Sequence, residues 1–209
     1  MSKRITRSFL MLVALAASVV SAGAQDPRTG SKLDEPSKAA LRSVIDSARA
    51  QGLPTDPLME KIYEGQGKGA DGPRIVAAVR QLAFEMAVMH RALGAIATTD
   101  ELKAAASALH AGVPAVELGK MKKESGLRRK LTLPFTVITD IVSRGVPVGA
   151  AVNAVKALVG AGAKDKDIND FQRNVKEDIQ QGAPPAAAAE TRAKSKPDKE
   201  NPDQQQNDQ

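Results

Sequence analysis

Apolar residues along this chain recur every three or four positions and almost nowhere alternate. Leu41, Val44, Ile45 and Ala48 fall at i, i+3, i+4, i+7. Ile75, Val79, Leu82, Met86, Met89 and Leu93 make the longest stripe. Val148, Val152, Val155, Leu158 and Val159 repeat the spacing, and Ile168, Phe171, Val175 and Ile179 form the last. A period of 3.6 puts each set on one face of a helix, so these residues are read as core. The segment Leu131–Ile138 has a strand-like composition, but Pro134 cannot donate to a ladder. With Ile138, Ile141 and Val142 continuing the helical spacing, the segment predicts a helix opening near Pro134.

Start and stop residues divide these stripes into about eight helices. Thr55, Asp71, Thr98 and Asp165 are expected N-caps, and Thr98 with Glu101 has the spacing of a capping box. Gly-Leu-Pro at 52–54, Gly-Val-Pro at 112–114 and 145–147, and Gly-Ala-Pro at 182–184 each follow a helical stripe. Weaker copies stand at Gly69-Ala70-Asp71 and Gly162-Ala163-Lys164. Glycine at C′ takes the left-handed conformation, the next apolar residue folds back on the last turn, and proline opens the following helix.

The stops are 17 residues apart from Gly52 to Gly69 and again from Gly145 to Gly162, and 33 apart from Gly112 to Gly145. One hairpin per about 34 residues is the range of helical-hairpin solenoids. The 43 residues from Gly69 to Gly112 break the period. The Trp, Leu-Gly and Tyr positions of a tetratricopeptide and the Thr-Pro-Leu-His of an ankyrin unit are absent. The expected fold is all-α: an irregular bundle or a short solenoid of about eight helices joined by Gly-[Leu/Val/Ala]-Pro turns, with a disordered C-terminal tail.

The two ends read differently from the middle. Residues 1–24 carry Lys3, Arg4 and Arg7, an apolar stretch from Phe9 to Val20, and Ala22-Gly23-Ala24 before Gln25. This is the layout of a cleaved secretory signal peptide, and the apolar stretch is short of the roughly 18 residues of a membrane span. Its basic start and alanine-rich flanks look bacterial, which places the mature chain in the periplasm or outside the cell. Residues 25–35 form a polar leader and 36–182 the helical domain. Residues 183–209 hold no Leu, Ile, Val or aromatic residue and are expected to be disordered.

Composition narrows the chemistry. There is no Cys, hence no disulfide, thiolate metal site or cysteine nucleophile. Removing the three N-terminal cations lowers the net charge from +6 to +3, and 2% aromatics leave little to stack on bases, so nucleic acid is not an expected partner. His90 and His110 lie on different helices without metal-ligand spacing, and His110 precedes Gly112 as a partner for the helix C-terminal dipole. Asp165, Asp167 and Asp170 surround a helix start and lack the glycine and glutamate of a calcium loop. Gly65-Gln66-Gly67-Lys68-Gly69 misses the Walker pattern and reads as a flexible loop before the longest helix, with a weak anion site at that helix N-terminus as its functional alternative. No metal, cofactor or catalytic constellation is predicted.

The sharpest local anomaly is Lys120, Lys122, Lys123, Arg128, Arg129 and Lys130, six cations within 11 residues against Glu124. On one surface they would form an anion-binding edge. The expected function is a non-catalytic exported binding or scaffold protein of the bacterial cell envelope, docking an unknown protein or an anionic envelope component. The alternative is an enzyme, or enzyme subunit, with an acid/base site assembled from distant carboxylates. What separates the two is whether acids with a His or Lys face the interior of a concave pocket.

Overall fold

A computed structural model describes residues 33–126 and 129–195. The expected signal peptide, most of the leader, Arg128 and the last fourteen positions of the tail, 196–209, lie outside the described residues. The described residues form nine helices and no strand. They are α1 Glu35–Ala50, α2 Asp56–Gly67, α3 Gly72–Leu93, α4 Thr99–His110, α5 Ala115–Glu124, α6 Thr132–Ser143, α7 Val148–Gly160, α8 Asp165–Gln180 and α9 Pro185–Lys194.

Glycine chemistry ends the helices. Each of the first eight is followed by a glycine at positive φ: Gly52, Gly69, Gly94, Gly112, Gly126, Gly145, Gly162 and Gly182. At Gly145 the φ of +91° would strain any side chain, and the next N–H, of Val146, reaches back to Ile141 O at 3.1 Å. Val113 N–H does the same to Ala108 O at 3.0 Å. Both valines are buried, so the turn closes the carbonyl end of one helix and seats an apolar side chain in the core.

The starts agree in part with the expected caps. Asp71 accepts the N–H of Arg74 at 2.9 Å and Thr98 that of Glu101 at 3.2 Å. Thr55 holds its cap position without a side-chain hydrogen bond, and Asp165 lies one residue inside α8. There the cap residue is Lys164, whose N–H donates to Asp167 Oδ2 at 2.8 Å. The helix expected near Pro134 opens at Thr132.

Packing follows a simple rule: the principal contacts join helices no more than two apart in chain order. Among the odd-numbered helices α1 packs on α3, α3 on α5 and α7 on α9, with only a thin contact of α5 with α7 joining these groups, and α4, α6 and α8 stack as a second row. Cross-contacts of α2 and α4 with α3, of α6 with α7 and of α8 with α9 tie the rows together. Leu58, Ile75, Met86, Leu118, Phe135, Ile138 and Ile168 fill the space between them.

Two expectations about segments change. The glycine-rich stretch is not a loop up to Gly67, because Gly65, Gln66 and Gly67 are the last turn of α2. A Cβ on Gly65 would come within 2.7 Å of Ile75, so glycine there allows α2 to approach α3 closely. The expected tail boundary also moves: residues 185–194 form α9, which packs on α7 and α8 through buried Ala188 and Ala189. Arg192 clamps it with two 2.7 Å hydrogen bonds to Asp178 of α8. Alanine methyls suffice because the neighbouring helices supply the large side chains.

Candidate functional site

The even row has a gap. α4 packs on α6 and α6 on α8, but α2 and α4 make no comparable contact. α3 is the reason: at 22 residues it is the longest helix, and it carries α4 away from α2 before the chain turns at Gly94. The result is a groove of about 710 Å³ walled by α2 and α4 and floored by α3, with Thr139 of α6 at one end. Ala78 and the half-buried Leu82 form the apolar part of the floor, and Pro57 and Ala111 stand on the walls.

Three carboxylates line this groove, each already engaged. Glu60 of α2 accepts a hydrogen bond from Lys103 of α4 at 2.6 Å, an ion pair that spans the gap. Glu64 is held by Lys68 and Lys61, whose hydrogen bonds pull its carboxyl down to about 2. Glu85 of α3 is only 5% exposed, and its Oε1 lies 2.7 Å from both Gln81 Nε2 and Nδ1 of His110 on α4. His110 itself is 70% exposed in its side chain. So the helix-terminal role expected of His110 is joined by a side-chain one.

Of the expected anion-binding edge, Lys122 and Arg129 are drawn into the fold, whereas Lys120, Lys123 and Lys130 are exposed. Lys122 is 2% exposed: its ammonium donates to Glu101 Oε1 at 2.7 Å and to the carbonyl of Arg129 at 2.7 Å. Glu101 also accepts the N–H of buried Leu131 at 3.0 Å. Arg129 turns inward, donating to Val159 O at 2.8 Å and Ala163 O at 2.6 Å, and so closes the carbonyl end of α7. The chain between α5 and α6 must find partners for its buried backbone groups, and these two cations supply them. Lys120 pairs with Glu117 at 2.9 Å, and Glu124 with Lys156 at 2.8 Å. Lys123 and Lys130 remain exposed, while Arg128 lies outside the described residues.

The same cluster corrects the capping box. Thr98 does cap the N–H of Glu101, but the Glu101 carboxylate is committed to Lys122 and Leu131. At the N-terminus of α3 the Asp71 carboxylate already occupies the position proposed for an anion. Asp140, solitary in sequence, is bound by Arg144 and Gln172, each at 2.9 Å. The Arg144 hydrogen bond is the main cause of its lowered pKa. His90 sits half-buried in the last turn of α3.

Among the described residues no group of His, Asp and Glu is arranged to hold a metal ion, and no helix is long and apolar enough to cross a membrane. Comparison with known proteins finds no family model, no curated protein and no solved structure that matches the chain. Glu85 was not singled out from the sequence. Its only mark there is a carboxylate set beside Met86 on the apolar stripe of the longest helix.

Proposed function

We propose that the protein is an exported, non-catalytic helical-repeat protein of the bacterial cell envelope that holds an apolar segment of a partner protein in the groove between α2, α3 and α4. The supporting observation is the gap in the even row. It exposes an apolar floor in a cavity of about 710 Å³, within the range of ligand sites, and every carboxylate on its walls is already paired. An incoming segment therefore meets apolar surface flanked by carboxylates whose hydrogen bonds are already made within the protein. A photo-crosslinking residue at Gln81 or Ser107, on the groove, should capture a discrete partner protein in cells, and Ala78→Trp should suppress the adduct by filling the floor. The same probe at Lys123, outside the groove, should not capture it. Equal adducts at all three positions would remove this reading. Docking of an anionic envelope component rests on the exposed Lys120, Lys123 and Lys130 among the described cations of the run, of which Lys120 is paired with Glu117, and reversing Lys123 and Lys130 to Glu tests it by loss of retention on anionic vesicles.

A second reading, an enzyme, is favoured by the Glu85–His110 pair. A buried carboxylate holding Nδ1 of an exposed imidazole is an arrangement that serves general-base catalysis. Both Glu85→Gln and His110→Ala should then abolish hydrolysis of an activated ester by the purified chain. Equal turnover by the variants would leave the binding reading alone.

A further inference from the structure

A second groove, of about 380 Å³, runs between α1 and α3 on the odd row. Ser47 and Gln51 stand on its α1 wall and Arg80, Phe84 and Arg91 on its α3 wall. No carboxylate lines it. Five other arginines, Arg49, Arg74, Arg144, Arg173 and Arg192, each pair with an aspartate. Arg80 and Arg91 are exposed and have no ion-pair or side-chain hydrogen-bond partner among the described residues. Between them Phe84 is 62% exposed, one of only four large hydrophobic side chains left so open among the described residues.

Geometry decides what fits. Arg80, Phe84 and Arg91 follow one another at four and seven residues, so they share a face of α3. At 1.5 Å per residue the two arginines arise about 16 Å apart along a single helix. An isolated phosphate or small carboxylate engages one of them and leaves Phe84 in water. A flat membrane surface meets the arginines but cannot enter between two helices to reach Ser47 and Gln51. A helix fits all these features if it carries carboxylates three turns apart and apolar side chains between them. We infer that this groove docks an acidic amphipathic helix of a partner protein, with carboxylates on Arg80 and Arg91 and apolar side chains over Phe84. This surface is separate from the groove between α2, α3 and α4, and either proposal stands without the other.

The test is fluorescence anisotropy of the full chain with a labelled helical peptide carrying two Glu eleven residues apart and Leu between them. Arg80→Glu with Arg91→Glu should weaken binding at least about tenfold, because repulsion replaces attraction at both contacts. Phe84→Ala should weaken it several-fold with charge unchanged, and all variants should keep the helical circular dichroism of the parent, since these side chains are exposed. Raising salt from 0.1 to 1 M should weaken the parent complex, as the Debye length falls from about 10 to about 3 Å. Unchanged affinity in the double arginine variant, or equal binding of a peptide with both Glu replaced by Gln, overturns the inference. Failure of the peptide to bind while anionic phosphatidylglycerol vesicles do, in an arginine-dependent way, overturns it in favour of a membrane surface.

Discussion

Glu101 and Glu85 are both buried carboxylates paired with a basic side chain from another helix, yet their surroundings give them opposite roles. Glu101 is 1% exposed, and its partner Lys122 is sealed in with it. Around them the backbone of Arg129 and Leu131 completes the hydrogen bonding, and no buried polar side-chain atom among the described residues is left without a partner. Glu85 is nearly as buried, but its partner His110 opens onto the groove. The first pair fastens a connection between helices. The second offers a hydrogen-bonding edge to whatever enters the gap. Burial of the acid alone does not separate structure from site; the exposure of its partner does.

Four experiments probe this contrast. The largest effect belongs to Lys122→Met, which leaves the Glu101 carboxylate buried without its cation and should cost about 3–5 kcal/mol. For a domain of this size that lowers the thermal midpoint by roughly 10 °C, and adding Glu101→Gln should recover part of the loss. If Lys122→Met is silent in chemical denaturation, Lys122 is not the fastening described. Arg129→Ala removes both donors to the end of α7 and should cost about 1–3 kcal/mol, whereas Lys123→Glu and Lys130→Glu should each stay below about 1 kcal/mol.

Asp178 supplies an intermediate case, partly buried against the half-open Arg192. The hydrogen bond from Arg192 holds its carboxyl below the ordinary value. Its contribution is therefore present above the unfolded aspartate pKa of about 3.9 and lost as pH falls through the lower folded value. The amides of Ala188 and Ala189 should lose exchange protection in that acid range before the helices of the core do, and Arg192→Ala should loosen them at neutral pH. The smallest effect on stability is expected for His110→Gln, below about 1 kcal/mol because the ring is mostly in water. Its effect on capture of a partner at Gln81 should nevertheless be large. A His110 variant as destabilised as Lys122→Met would erase the distinction between the two acids.

Helix ends were legible in the sequence because they depend on a few adjacent residues. The glycine-apolar-proline turns carry their own geometry, and Gly94 divides the interval that broke the period, showing it to be the length of α3. Glu101 and Lys122 were not legible as partners. Twenty-one residues separate them, local rules assign one to a cap and the other to a basic surface, and their meeting depends on how α4, α5 and the following connection pack. The groove was hidden for the same reason, since the missing contact between α2 and α4 is a property of the row. At α9 the expectation of disorder weighed the segment by its own side chains. Pro184 and Pro185 after Gly182 were a start signal as well as a stop, and the apolar surface that orders the helix belongs to α7 and α8.

The rule that helices pack chiefly on neighbours one or two places along the chain also bears on how the protein comes to be folded. Closing such contacts encloses short stretches of chain, so each step sacrifices little loop entropy, and proteins dominated by local contacts fold quickly. In a stacked array a hairpin is stabilised by the hairpins beside it, so order spreads along the rows by nearest-neighbour coupling. The two ends, with a neighbour on one side only, open most readily.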